Sequence, residues 1–225
     1  MKIAHKLYFL IAVGFLGCLL IGGTSLIKMA KMNENISYIT DNSIPSIRNL
    51  NQIEIHFLIL RTYVISHITY SEDARAMRSA EEKLREYEKQ IEQEKIAIST
   101  KMTEYESKFI SDPNDVALYQ KVKTAMDKYQ EAAKKIIDIS ATYEAKKART
   151  ELANLQEVGK AVTIALQESI EHNNQIAAED KIKGEENYQS ARWTVIISSA
   201  GVLGCLLALG LLSVNQIRRG VSGAQ

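Results

Sequence analysis

Residues 77–105 read MRSAEEKLREYEKQIEQEKIAISTKMTEY, and Met77, Leu84, Ile91, Ile98 and Tyr105 fall in them at a strict seven-residue step. Charged residues fill the intervals, as in Glu81-Glu82-Lys83 and Glu92-Gln93-Glu94-Lys95. An apolar heptad with a Glu/Lys-rich exterior is the pattern of a helix packed side by side with others in a bundle. A second stripe, Val122, Tyr129, Ile136 and Tyr143, keeps the same step and is flanked by Tyr119, Met126 and Ala133.

Working outward, the chain has almost nowhere to turn. Nine of its 11 glycines lie at 14–23 or 201–223, leaving Gly159 and Gly184 between them, and Pro45 and Pro113 are the only prolines. A sheet protein needs many Gly- and Pro-bearing turns, so the chain reads as all-α. Three breaks are expected. At 69–73, Ser71 can cap the following helix. At 111–115, Asp112 is a cap, Pro113 suits the first helical position and Asp115 favours the helix dipole. Near 146–151, basic residues suit a helix end and Thr150 can start the next helix.

Two uncharged apolar runs, 7–27 and 194–214, bracket this pattern. At ~1.5 Å per residue each spans roughly 31 Å, the thickness of a bilayer core. Lys2 and Lys6 precede the first, Arg218 and Arg219 follow the second, and neither end carries an acid. The positive-inside bias then places 1–6 and 215–225 in the cytoplasm and 28–193 outside it. The first run is longer than a signal-peptide core and no A-x-A-like site follows it. Spans also carry small-residue stripes, Gly14/Cys18/Gly22 and Ala200/Gly204/Ala208, suited to close helix packing.

Length supports one topology. The outer arms 28–70 and 150–192 each hold 43 residues, and the inner arms 73–110 and 113–148 hold 38 and 36. Arms of about 64 and 55 Å make an up-down-up-down four-helix bundle flanked by two transmembrane helices, with the breaks near 71 and 149 at its far tip.

Charge is balanced, 28 basic against 27 acidic residues, which excludes a strongly basic nucleic-acid binder. Cys18 and Cys205 both fall within the spans, so no disulfide can staple the exterior segment. His5, His56, His67 and His172 are scattered, and no catalytic, metal or cofactor motif occurs. No catalytic role, metal or cofactor is therefore expected. The first exterior helix is unusual. Its interface stripe is read as Ile47, Leu50, Glu54, Phe57, Arg61, Val64 and Ile68, with two charges where apolar residues belong. Either Glu54 and Arg61 pair with neighbouring helices, or Arg61 holds an anionic ligand with its planar fork. The pattern does not choose between them.

Two spans around this bundle resemble the sensor half of a bacterial methyl-accepting chemotaxis receptor, of the four-helix-bundle class. Asp41-Asn42-Ser43-Ile44-Pro45-Ser46-Ile47 is similar to that class's stretch early in the first helix, and Arg61, fourteen residues beyond Ile47, falls where such sensors commonly carry a carboxylate-holding arginine. Asn215-Gln216-Ile217-Arg218-Arg219-Gly220-Val221-Ser222 resembles the opening of a HAMP relay domain. The resemblance implies a homodimeric, multi-pass protein of the bacterial inner membrane. Its periplasmic or extracellular domain would bind a small organic acid or amino acid and shift the last helix in a small piston-like step. The HAMP body, methylation helices and kinase-control tip fall outside the sequence, so the kinase complex would be reached only through them. Sensor kinases and diguanylate cyclases carry similar sensors. A ligand-free coiled-coil tether, with Glu54 and Arg61 setting register, is the alternative.

The expected site lies about 15 Å below the tip, at the level of Arg61. An antiparallel arrangement with helix ends at the breaks above brings that level near 138–143 and 154–160. Tyr143 offers a hydroxyl and an aromatic face to a small acid. Tyr63, His67, Arg149 and Thr150 supply further polarity.

Overall fold

The computed structural model describes residues 3–74 and 78–222, and among these there is no strand. Helix α1 (Ile3–Tyr38) passes through a π-helical turn (Ile39–Ser43) into α2 (Ile44–Ala74). Then follow α3 (Arg78–Lys108), α4 (Pro113–Ala141), the short α5 (Ala145–Thr150) and α6 (Leu152–Ser222). Contacts divide the chain into two units, Tyr38–Ala178 and a second made of residues 1–37 and 179–225. The bundle packing itself thus occupies a narrower stretch than the 28–193 expected outside the membrane.

The π turn follows from Pro45. A proline lacks an N–H and its ring collides with the carbonyl four residues back, here that of Asp41. One wider turn, in which the N–H of Ile44 donates to the carbonyl of Ile39, absorbs the mismatch without ending the helix.

In the bundle unit the heptads pack as read. Leu84, Ile91, Ile98 and Tyr105 of α3 are buried, as are Tyr119, Val122, Met126, Tyr129, Ala133 and Ile136 of α4. Burying one such aliphatic or aromatic side chain contributes about 1.5–3 kcal/mol. Met77, the first member of the α3 stripe, lies outside the described residues. Tyr143 leaves its stripe: α4 stops at Ala141, and Tyr143 stands in the following turn with φ 63°. Its ring packs on Ala80 and Leu84.

In the α2 seam Leu50, Phe57, Val64 and Ile68 are buried as read, whereas Ile47, Glu54 and Arg61 are not, and the residue before each of these three is buried instead. The buried residues of α2 are Ser46, Asn49, Leu50, Ile53, Phe57, Leu60, Val64, His67, Ile68 and Ser71, and all but Asn49 and Ile68 follow a regular alternation of four and three. Ile53 and Leu60 take the places read for Glu54 and Arg61, which flank the seam half-buried. Neither has an ion-pair partner among the described residues. A 3.5-residue period selects Ile53 and Leu60 because they stand three residues after Leu50 and Phe57.

Of the three breaks, the one at Pro113 forms as expected. The Asp112 carboxylate accepts from the N–H groups of Asn114 and Asp115 at 2.7 and 2.9 Å. The break at 69–73 does not form, because α2 runs through it to Ala74. Ser71 lies on the seam rather than at a helix start, and its hydroxyl donates across the bundle to the carbonyl of Ser140 at 2.6 Å. The third break is double: a turn at 142–144, then Glu151 between α5 and α6. Thr150 ends α5 rather than starting α6, and its hydroxyl donates back to the carbonyl of Lys147.

In the other unit, the apolar parts of α1 and α6 pack closely at Gly17. A Cβ there would lie 2.6 Å from Cγ2 of Val202, so only glycine allows the approach. Gly14 lies against Leu206, whereas Gly22 and Gly204 have open space beside them. The contact within the chain therefore uses Gly14 and Gly17 rather than the Gly14/Cys18/Gly22 stripe. Lys28 donates to Ser190 Oγ at 2.6 Å and to Thr194 Oγ1 at 3.0 Å. Both helices are long and apolar enough to cross a membrane.

Candidate functional site

At mid-bundle, Phe57 of α2 meets Tyr129 of α4 edge to face, with ring centroids 4.8 Å apart. Gly159 of α6 closes the group: a Cβ there would stand 3.4 Å from the Tyr129 ring and 3.7 Å from that of Phe57. A side chain there would meet both rings at ordinary contact distance. The Tyr129 hydroxyl is buried without a hydrogen-bond partner. Burial pushes its pKa up, and the positive charge of Arg61 works against that rise. Arg61 stands one turn beyond Phe57 and has no carboxylate partner among the described residues. A half-buried arginine without a carboxylate partner on α2, and a buried hydroxyl without a partner on α4, are each able to donate to an anion.

The other residues read from the sequence are dispersed. Tyr63 turns toward α3 and packs on Tyr87, centroids 6.0 Å apart. His67 is fully buried, its Nδ1 bonded to the Ser140 hydroxyl and its Nε2 3.4 Å from Glu88 Oε1. Burial lowers its pKa, so it is neutral at neutral pH. Arg149 is paired with Glu72 at 2.5 Å at the tip. Tyr143 and Thr150 stand there too, in the turn and short helix between α4 and α6.

The expected level on α4 is corrected accordingly. His67 meets Ser140, so Arg61, six residues back on a parallel helix, lies level with the residues about six before Ser140 rather than with 138–143. The error came from ending α4 at 148. Sequence reading did not single out the Tyr129 hydroxyl, although Tyr129 stands on the α4 stripe.

A second buried polar group joins α3, α4 and α6 at the opposite end of the bundle. Tyr105 donates to Asp115, and Asn173 Nδ2 donates to the Tyr105 hydroxyl at 2.9 Å. His172 Nε2 lies 2.9 Å from Asp112. These contacts fasten the Pro113 turn. No group of His, Cys, Asp and Glu among the described residues is arranged to hold a metal ion.

A helical bundle joined in sequence to two apolar helices defines a membrane sensor architecture. Residues 1–188 match the model of the four helix bundle sensory module for signal transduction, a family whose name ties it to methyl-accepting chemotaxis proteins, and the chain belongs to that family. Neither curated proteins nor solved structures yield a match.

Proposed function

We propose that this sensory module is the input half of a transmembrane chemoreceptor, and that it binds a small anionic solute, an organic acid or amino acid, through Arg61 and the Tyr129 hydroxyl. The observation that carries this reading is the coincidence of an arginine without a counter-ion and a buried hydroxyl without a partner, on adjoining helices. A solute carboxylate would satisfy both. The bundle lies outside the cytoplasmic membrane and both termini inside, since the ends bear Lys2, Lys6, Arg218 and Arg219 and no acid. The protein acts as a homodimer. Supporting this, α2 carries a second regular stripe on its outer face, where Ile44, Ile55, Leu58 and Ile65 are exposed, a poor surface to leave in water. Binding biases two states of the bundle, and α6, one helix from Leu152 to Ser222, carries the change to the cytoplasmic side. The output module lies beyond this sensor.

The test is a calorimetric screen of the full chain in lipid nanodiscs against dicarboxylates and amino acids, repeated with Arg61→Ala. A ligand that binds the native chain and is lost in the variant supports the assignment. Undiminished affinity in the variant would falsify it.

A further inference from the structure

Helices α3 and α4 do not close on each other along their upper halves. A cavity of about 190 Å³ opens to solvent between them, and Leu60 of α2 reaches its floor from behind. Ile91 and Ala133 form its sides, both buried core residues, and Ile137 stands half-buried at one edge. The volume suits a group about the size of one ring or a branched alkyl chain, smaller than a drug-sized pocket.

The rim carries Glu88, Glu92, Lys95 and Lys134. Lys95 is paired with Glu92 at 2.9 Å, and Lys134 turns to Asp138, outside the cavity lining, at 2.5 Å. Glu88 is left over, with no lysine or arginine partner among the described residues. Its one hydrogen-bond partner among the described residues is Nε2 of His67 at 3.4 Å, and that buried imidazole is neutral and cannot offset the charge. The cavity therefore joins an apolar floor to one carboxylate that has no lysine or arginine partner among the described residues.

We propose that this cavity is a second ligand site, for a small organic amine whose apolar body rests on Leu60, Ile91 and Ala133 and whose ammonium group pairs with Glu88. Such a ligand has the opposite charge to the solute assigned to Arg61 and enters from the α3–α4 face. It also touches the carboxylate that faces His67, and so reaches the hydrogen-bonded link between α2 and the end of α4.

The experiment uses the full chain in lipid nanodiscs, methyl-labelled at isoleucine and alanine, titrated with benzylamine, benzyl alcohol and benzoate. Benzylamine is expected to shift the Ile91, Ala133 and Ile137 methyl signals saturably, benzyl alcohol more weakly, and benzoate not at all. Glu88→Gln should weaken benzylamine about ten-fold and leave benzyl alcohol unchanged. Ile137→Trp, which fills the cavity from its half-exposed edge, should block both. Arg61→Ala should leave benzylamine binding intact. The proposal is overturned if benzylamine leaves these methyls unmoved, if benzoate matches it, if Glu88→Gln retains full affinity, or if Arg61→Ala removes the binding.

Discussion

The phenolic hydroxyl of Tyr105 donates to Oδ1 of Asp115 at 2.7 Å, tying the last turn of α3 to the first turn of α4 across Pro113. Both residues are fully buried. The other oxygen of Asp115 accepts from the N–H and the hydroxyl of Ser111 at 3.0 and 3.2 Å. Burial, then Asp115 itself, raises the Tyr105 pKa, so the phenol keeps its proton and remains the donor. Tyr105→Phe keeps the ring but leaves a buried carboxylate oxygen unsatisfied and deprives Asn173 of an acceptor. A loss of about 1–3 kcal/mol is expected. Urea melts of the two proteins, followed by circular dichroism, measure it; equal midpoints would mean the bond carries no net stability.

His67 gives the bundle a pH dependence of definite sign. Its pKa is lowered by burial from the ordinary 6.5, against the opposing pull of Glu88. Between the folded value and 6.5 the unfolded chain binds the proton and the folded one does not, so stability falls on acidification through that window and is fully present above it. The groups facing the ring are Glu88 from α3 and the Ser140 hydroxyl from α4; Ser71 of α2 bonds the Ser140 carbonyl. His67→Gln keeps a polar contact to Ser140 but does not titrate. Melts at about pH 7.5 and about pH 5 should show a smaller loss in the variant than in the native chain. An unchanged loss would assign the effect to another group.

The bundle was legible because its signal is repetitive. Leu84, Ile91 and Ile98 repeat one physical statement, and tertiary packing has no reason to override it. The α2 seam was less legible because apolar residues stand on both faces: Ile55 and Leu58 are as apolar as Ile53 and Leu60, and only contact tells them apart. That ambiguity placed Glu54 and Arg61 in the core when they flank it. Local capping rules failed where a side chain found a distant partner, as Ser71 did in Ser140. The turn after α4, expected near 146–151, lies at 142–144, and its position was hard to read because it uses no Gly or Pro. Tyr143 adopts the left-handed conformation instead, at a cost of order 1 kcal/mol, and its ring packing on Ala80 and Leu84 helps offset that. Tyr129 was visible as a core residue, but its unsatisfied hydroxyl depends on three-dimensional neighbours that no spacing encodes.

Close packing of the apolar helices depends on Gly17. Gly17→Ala puts a methyl 2.6 Å from Val202 Cγ2, closer than atoms tolerate, so the helices must move apart. The native cysteines, Cys18 and Cys205, are free and exposed and accept spin labels directly. Pulsed electron resonance in nanodiscs should show a longer label distance in Gly17→Ala, and a return toward the native distance when Val202→Ala is added. No lengthening in the single variant would show that the two helices do not rest on this contact.

Tyr129→Phe separates a binding role from a structural one. The Tyr129 hydroxyl is buried and has no hydrogen-bond partner among the described residues, so it is a burden on the fold. Removing it leaves the ring against Phe57 and Gly159 and takes away only the unsatisfied group. The empty domain should be as stable as before or more stable, by up to about 1 kcal/mol. If an acid binds between Arg61 and this hydroxyl, the same change removes a donor, and affinity should drop by about five- to thirty-fold, the equivalent of roughly 1–2 kcal/mol. Most changes that harm binding also harm the fold, so opposite signs are hard to obtain by accident. A thermal melt of the empty chain and a calorimetric titration with the acid found by the screen read the two quantities independently. A destabilised empty domain would show that the hydroxyl has a partner within the fold. Unchanged affinity with unchanged stability would move the acid away from Tyr129.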